Sequence, residues 1–186
     1  MASTSDLYRG AFLRFNGELC LVIEYEHRTP GNLRAFYQVK MRNVRSGKLI
    51  ENRFRAGESL EFVRVEVQEF QFLYKSGENF VLMNNETYDQ IEMNGDLFGD
   101  GAGFLKEGMI IQVSMDDEKP VYAELPAVVE LEVTYTEPGI RGDTATKTLK
   151  PATVETGAKI SVPLFIETGD RIRVDPRSGE YLERAK

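Results

Sequence analysis

Tryptophan is absent from this chain, and cysteine and histidine occur once each, as Cys20 and His27, among 186 residues. One thiol cannot close an internal disulfide, and one thiol with one imidazole leaves too few soft ligands for a structural zinc site. Neither a metal nor a cofactor is therefore expected. Cys20 lies between Leu19 and Leu21 with no histidine at a defined interval, and reads as a small core or near-surface filler. His27, between Glu26 and Arg28, reads as a solvated strand-end residue. Long apolar runs are missing too. None approaches the ~18 residues of a membrane span, and the opening stretch Met1 to Asp6 lacks the basic and apolar regions of a signal peptide. The expected compartment is the cytoplasm, with no membrane partner. There, the sequon Asn85-Glu86-Thr87 and the tripeptide Arg141-Gly142-Asp143 carry neither a glycan nor an adhesion role. Gly99, Gly101 and Gly103 lack the spacing and the lysine-hydroxyl ending of a phosphate loop, and read as a surface loop. No carboxylate pair is framed for acid and base work, so no enzyme is expected.

What is present is a period of two. Leu19, Leu21, Ile23 and Tyr25 alternate with Cys20, Val22, Glu24 and Glu26; Tyr37, Val39 and Met41 alternate with Gln38, Lys40 and Arg42; Val129, Leu131, Val133 and Tyr135 alternate with Glu130, Glu132, Thr134 and Thr136. Such segments turn one face to a core and the other to water. Further strands are expected over 70–74, 80–83, 109–115, 121–125, 159–162, 171–174 and 181–184. Turn signals such as Asn16-Gly17, Ser46-Gly47, Ser76-Gly77 and Ser178-Gly179 separate them. Short helical turns are expected near 86–93 and 96–108. The spacing indicates an all-β chain of small barrels rather than a parallel sheet.

Charge divides the chain. Residues 1–64 carry a net charge of +4, residues 65–128 carry -10 and residues 129–186 carry -1, which together give -7. With the break at Leu125-Pro126, this partition indicates three consecutive barrels of about 60 residues: 1–64, 65–128 and 129–186. Between positions 28 and 55, Arg28, Arg34, Lys40, Arg42, Arg45, Lys48, Arg53 and Arg55 meet one acid, Glu51. A basic end on an acidic body attracts RNA phosphate at one end and repels it along the middle. A merely solvated surface is the alternative.

Two stretches rise above this background. In Thr29-Pro30-Gly31-Asn32-Leu33-Arg34-Ala35-Phe36, proline and glycine stiffen and turn the backbone between two strands, so residues 31–33 are expected to project as a tip. At 3.3 Å per residue, that tip stands on the order of 10 Å clear of its barrel. The other stretch is Lys150-Pro151-Ala152 with Gly157, Ile160, Val162-Pro163, Ile166 and Gly169. Its spacing resembles the C-terminal signature of bacterial elongation factor P. The likeness extends over the chain: Pro30-Gly31 with Ala35-Phe36, Met83 to Thr87, Pro138-Gly139 with Gly142 to Ala145, and Val174-Asp175 with Arg177 to Tyr181. The elongation factor P-like sister family shares the C-terminal signature, but the Pro-Gly tip and the Asn-Asn-Glu-Thr segment are more similar to elongation factor P proper.

The resemblance implies an N-terminal SH3-like (KOW-type) barrel followed by two OB-folds in an elongated arrangement like a transfer RNA. It implies a monomer that binds the 70S ribosome between the exit and peptidyl sites, contacts peptidyl-tRNA and ribosomal RNA, and relieves stalling at consecutive prolines. Pro30, Gly31, Asn32, Leu33 and Arg34 would form the tip directed at the peptidyl-transferase centre. The family's modified lysine or arginine falls at Asn32, whose amide can accept neither a β-lysyl group nor rhamnose. Arg28, Lys40, Arg42, Arg45, Arg53 and Arg55 would meet phosphates. Arg141, Gly142, Asp143, Thr144 and Ala145 would lie near the small subunit, and Tyr181 with Arg184 would stack or pair against tRNA; a core role for Tyr181 stays open. The competing reading is a general RNA-binding module built from the same barrels. A small-ligand carrier explains nothing of the basic tip.

Overall fold

The computed structural model describes residues 2–139 and 148–186; Arg141, Gly142, Asp143, Thr144 and Ala145 lie outside the described residues. The chain is all-β, with three five-stranded sheets. The first has the order β4-β3-β2-β1-β5, built from β1 (Phe12–Phe15), β2 (Glu18–Arg28), β3 (Phe36–Asn43), β4 (Leu49–Arg55) and β5 (Glu61–Val63). The second has the order β10-β9-β6-β7-β8, from β6 (Glu66–Ser76), β7 (Asn79–Asn84), β8 (Gln90–Asn94), β9 (Ile110–Asp116) and β10 (Lys119–Glu124). The third has the order β13-β12-β11-β14-β15, from β11 (Val129–Thr136), β12 (Leu149–Val154), β13 (Lys159–Pro163), β14 (Arg171–Asp175) and β15 (Glu180–Arg184). The second and third sheets therefore share one topology: the first strand is central, the next two lie to one side and the last two to the other. Two compact units form, Met1–Gln68 with Val113–Ala123 and Glu69–Gln112 with Glu124–Lys186.

One backbone device recurs in all three sheets. Val22 accepts from the Gly10 N–H and donates to Ala11 O, both at 2.8 Å; Phe72 does the same with Gly108 and Met109, and Val133 with Gly169 and Asp170, again at 2.8 Å. The ladder with the following strand then skips one residue, Ile23, Leu73 or Thr134. Each glycine sits at positive φ (92°, 84° and 93°), a conformation in which a Cβ is strained. A bulge next to such a bend raises the local twist and lets a short strand serve a curled sheet.

The expected alternation is corrected in two strands. In β2 the buried residues are Cys20 and Val22, not the Leu19, Leu21 and Ile23 series, and the skip at Ile23 brings Tyr25 opposite core-facing Val39. In β11, Val129, Leu131 and Val133 are buried as expected, but Tyr135 turns outward and Thr136 takes the inward place, its hydroxyl donating to Pro151 O. No helix forms over 86–93. Asn84 Oδ1 captures the backbone N–H groups of Glu86 and Thr87, and β8 pairs with β7, Ile91 opposite Leu82. Segment Gly95–Phe104 does wind into a 3-10 helix, interrupted at Gly99.

The first core joins Leu13, Cys20, Val22, Val39, Met41 and Phe54; the third joins Leu131, Val133, Val154, Val162, Ile172 and Val174. Each large apolar side chain buried in this way stabilises the fold by ~1.5–3 kcal/mol. Cys20 is fully buried, and burial, followed by the nearby Glu18 carboxylate, raises its thiol pKa. Modification by a thiol-reactive disulfide is accordingly expected to run at least ~10-fold slower in the native protein than in urea. Equal rates would place the thiol at the surface.

Candidate RNA interface

Strand β1 pairs only with residues 18–21 of β2, so the distal half of β2 loses its neighbour on that side. From Glu24 to Arg28 the strand is exposed on both faces. β3 and β4 continue beside it, and on them the core still reaches Val39, opposite Tyr25, and Phe54, in the row of His27 and Tyr37, so the exposure of both faces belongs to the end of β2. The connection at its end is a tight turn: the Leu33 N–H donates to Pro30 O at 3.1 Å, so Gly31 and Asn32 occupy the corner. All of residues 31–34 are exposed, Leu33 by 75%.

This turn end of the sheet is braced by the segment before β1 and the one after β4. Ala56 N–H donates to Ala35 O at 3.1 Å, continuing the β3–β4 ladder toward the turn. Fully buried Thr4 gives its hydroxyl to Arg55 O at 3.2 Å and accepts from the Gly57 N–H at 2.9 Å, while a Glu58 carboxylate oxygen accepts from the Arg55 N–H. Thr4 escaped the sequence reading. The local signal for it was the Ser3-x-x-Asp6 capping box that opens a 3-10 turn there.

Register assigns the faces. Arg28, Phe36 and Arg55 form one cross-strand row; the next rows are Glu26, Gln38 and Arg53, then Glu24, Lys40 and Glu51, then Leu21, Arg42 and Leu49. Strand pairing lays Glu24 directly opposite Lys40, while Glu26 meets Arg28 as its neighbour two residues along β2. Arg28 is bound by Glu26 at 2.7 Å, and Lys40 sits between two glutamates. Arg53 lies 4.3 Å over the ring of Phe36, an attraction that fixes the guanidinium against the sheet. Arg34 and Arg55 have no carboxylate within salt-bridge distance among the described residues, and both are exposed. Arg42 and Arg45 belong to the other end of the β3–β4 hairpin; Phe36 and Asn43, the two ends of β3, are about 23 Å apart along the strand. The structure therefore brings Arg28, Arg34, Arg53 and Arg55 together at the tip and separates Arg42 and Arg45 from them. On the opposite face, His27 stacks on Tyr37 with ring centroids 4.5 Å apart, at the strand end where it was expected.

In the third sheet, Tyr181 is half-buried against the core, and its hydroxyl pKa is raised, first by burial and then by Glu183. The Arg184 guanidinium is held by Asp170 at 2.7 Å. The core side of the two readings for Tyr181 thus has direct packing behind it. At the root of the segment that continues past the described residues, buried Lys150 donates from Nζ to Glu137 O at 2.6 Å, a use of the signature lysine that spacing alone did not reveal. Among the described residues no group of carboxylates, imidazoles and thiols is placed to hold a metal, and no helix is long and apolar enough to cross a membrane.

A small curled barrel bearing a cationic turn, followed by two sheets of a common five-stranded topology, defines an all-β chain of small barrels. A eukaryotic translation initiation factor 5A from Methanococcus jannaschii has a similar fold, with a TM-score of 0.51 and 17% identity over 67% of this chain and 90% of that one. Residues 3–60 match the Elongation factor P (EF-P) KOW-like domain, residues 65–123 the Elongation factor P (EF-P) OB domain and residues 129–184 the Elongation factor P, C-terminal family. An elongation factor P of Chloroherpeton thalassium is 51% identical over 187 aligned residues, covering 100% of both chains. One from Acidothermus cellulolyticus is 47% identical, covering 100% of this chain and 99% of its own. The chain belongs to the elongation factor P family and is a translation elongation factor.

Proposed function

We propose that this factor binds the 70S ribosome between the exit and peptidyl sites and steadies the acceptor end of peptidyl-tRNA, promoting bond formation at consecutive prolines. Proline is a poor nucleophile whose rigid ring disfavours productive alignment, so holding the reacting end in place lowers an orientational barrier without any chemistry by the protein. A hundredfold gain in rate requires only ~2.7 kcal/mol at the transition state, within reach of a few placed hydrogen bonds. The observation that carries this reading is the braced turn itself. It is closed by the Leu33 to Pro30 bond, Asn32 stands exposed at the corner, and Arg34 and Arg55 beside it are free of carboxylates among the described residues. A tip ordered in advance loses little conformational freedom on binding.

The factor acts as a cytoplasmic monomer of three domains, 1–64, 65–128 and 129–186. Residues 141–145 approach the small subunit, and the tip works unmodified, through the donor and acceptor of the Asn32 amide. Intact mass of protein isolated from its native cells should equal the sequence mass, apart from processing of the initiator methionine; an adduct on the tip peptide would overturn the unmodified tip. The reading as a whole is tested by reconstituted translation of a triproline message beside a proline-free one. Addition of the protein is expected to raise the triproline rate by on the order of 10- to 100-fold and leave the control unchanged. Equal stimulation of both messages would favour a general RNA-binding module.

A further inference from the structure

The loop joining β7 to β8 copies the loop joining β3 to β4 bond for bond. Asn43 Oδ1 accepts from the N–H groups of Arg45 and Ser46, both at 2.9 Å, Asn43 O accepts from Gly47 N–H, and Asn43 N–H donates to Lys48 O. Asn84 repeats every one of these contacts, with Glu86, Thr87, Tyr88 and Asp89 in the same order. A reduced version joins β14 to β15, where Asp175 accepts from Arg177 N–H on its carboxylate and from Gly179 N–H on its carbonyl. The fifth residue of the loop is left-handed in all three: Gly47 at φ 70°, Tyr88 at φ 62° and Gly179 at φ 71°. Glycine takes that conformation freely, whereas a tyrosine is strained in it. The other non-glycine residues at positive φ among the described ones are Asn16 and Asp117, types that tolerate it.

Beyond its backbone N–H, which closes the loop on Asn84 O, Tyr88 returns nothing visible to the fold. It is 71% exposed, and its ring enters no aromatic contact or side-chain hydrogen bond among the described residues. The hydrogen bonds of the loop would hold a glycine there equally well, as they do at Gly47, so a bulky, unpacked ring at this strained position marks a contact surface. Residues 84–94 contain Glu86, Asp89 and Glu92 and no lysine or arginine. Glu86 and Asp89 are exposed and in no ion pair among the described residues. Carboxylates of this kind repel phosphate. An open aromatic face between them suits a guanidinium or an ammonium instead.

We propose that Tyr88, flanked by Glu86 and Asp89, is a docking point for a lysine- and arginine-rich segment of a partner protein, whose cationic side chain lies on the exposed ring. This goes beyond the action of the Asn32 tip and does not depend on it. The test compares full-chain wild type, Tyr88→Gly and Tyr88→Phe by thermal unfolding and by binding of a labelled arginine-glycine decapeptide, with labelled oligouridylate in parallel. Tyr88→Gly should unfold ~2–4 °C above the wild type through relief of strain, and bind the peptide at least ~5-fold more weakly. Tyr88→Phe should match the wild type in binding. Three results would overturn the proposal: a Tyr88→Gly protein less stable than the wild type, peptide binding that is absent or equal in all three proteins, or oligouridylate binding that depends on residue 88.

Discussion

Exchanging Arg34 and Arg55 for glutamate in one protein is expected to weaken ribosome binding by at least ~100-fold and to abolish most of the triproline stimulation. Each of these guanidinium groups stands at the tip with no carboxylate partner among the described residues, and a charge-assisted hydrogen bond to phosphate is worth ~1.5–3 kcal/mol. Two lost phosphate contacts should also flatten the dependence of log affinity on log salt by at least ~1.4, from about 0.7 per single-stranded contact. Stopped-flow or sedimentation binding across a salt series reads both quantities. An unchanged salt slope would remove the tip arginines from the RNA interface. Neutralising Lys40 makes an informative comparison, because Glu24 and Glu51 lie opposite it in the sheet and lower the positive potential there. Its effect on the slope should be the smaller one.

Leu131→Ala should cost about 2–5 kcal/mol of stability, the usual range for a fully buried leucine truncated in a close-packed core. Leu131 is 0% exposed in the core of the third sheet, packed with Val133, Val154, Val162, Ile172 and Val174. A urea titration followed by far-UV circular dichroism should show the midpoint falling while far-UV signal at zero urea is kept. Leu33→Ala is the matched control. Leu33 is 75% exposed at the tip, and its truncation should stay within about 0.5 kcal/mol. If Leu131→Ala were equally mild, the third core would be far looser than its burial indicates.

Much of this architecture was legible in the chain. The alternation at Tyr37, Val39 and Met41 predicted the inward face of β3, since a strand buried on one side must place every second residue against the core. The Pro30-Gly31 pair announced the turn closed by Leu33. The phase of β2 was not legible because residues 19–23 are apolar on both faces, and the end of β11 was not because a single skipped residue inverts the faces beyond it and nothing in the composition of Thr134 marks the skip. The expected helix near 86–93 failed for a related reason. Its polar residues suit a helix and a loop alike, and Tyr88 at positive φ with the pairing of β8 to β7 turns the chain back before a helix can run on.

The candidate interface divides in the same way. Composition along the chain was enough to locate a basic N-terminal third, an acidic middle and a stiff turn, because net charge and proline-glycine chemistry act locally and need no neighbours. The Glu26–Arg28 pair is local, two residues apart on β2, but the setting of the other cations was decided by the fold. Pairing across β2, β3 and β4 set Glu24 and Glu51 about Lys40, packed Arg53 on Phe36, and left Arg34 and Arg55 open at the tip. Electrostatic partnership depends on distance through space, and in a sheet that distance is set by register, which residues far apart in the chain establish together.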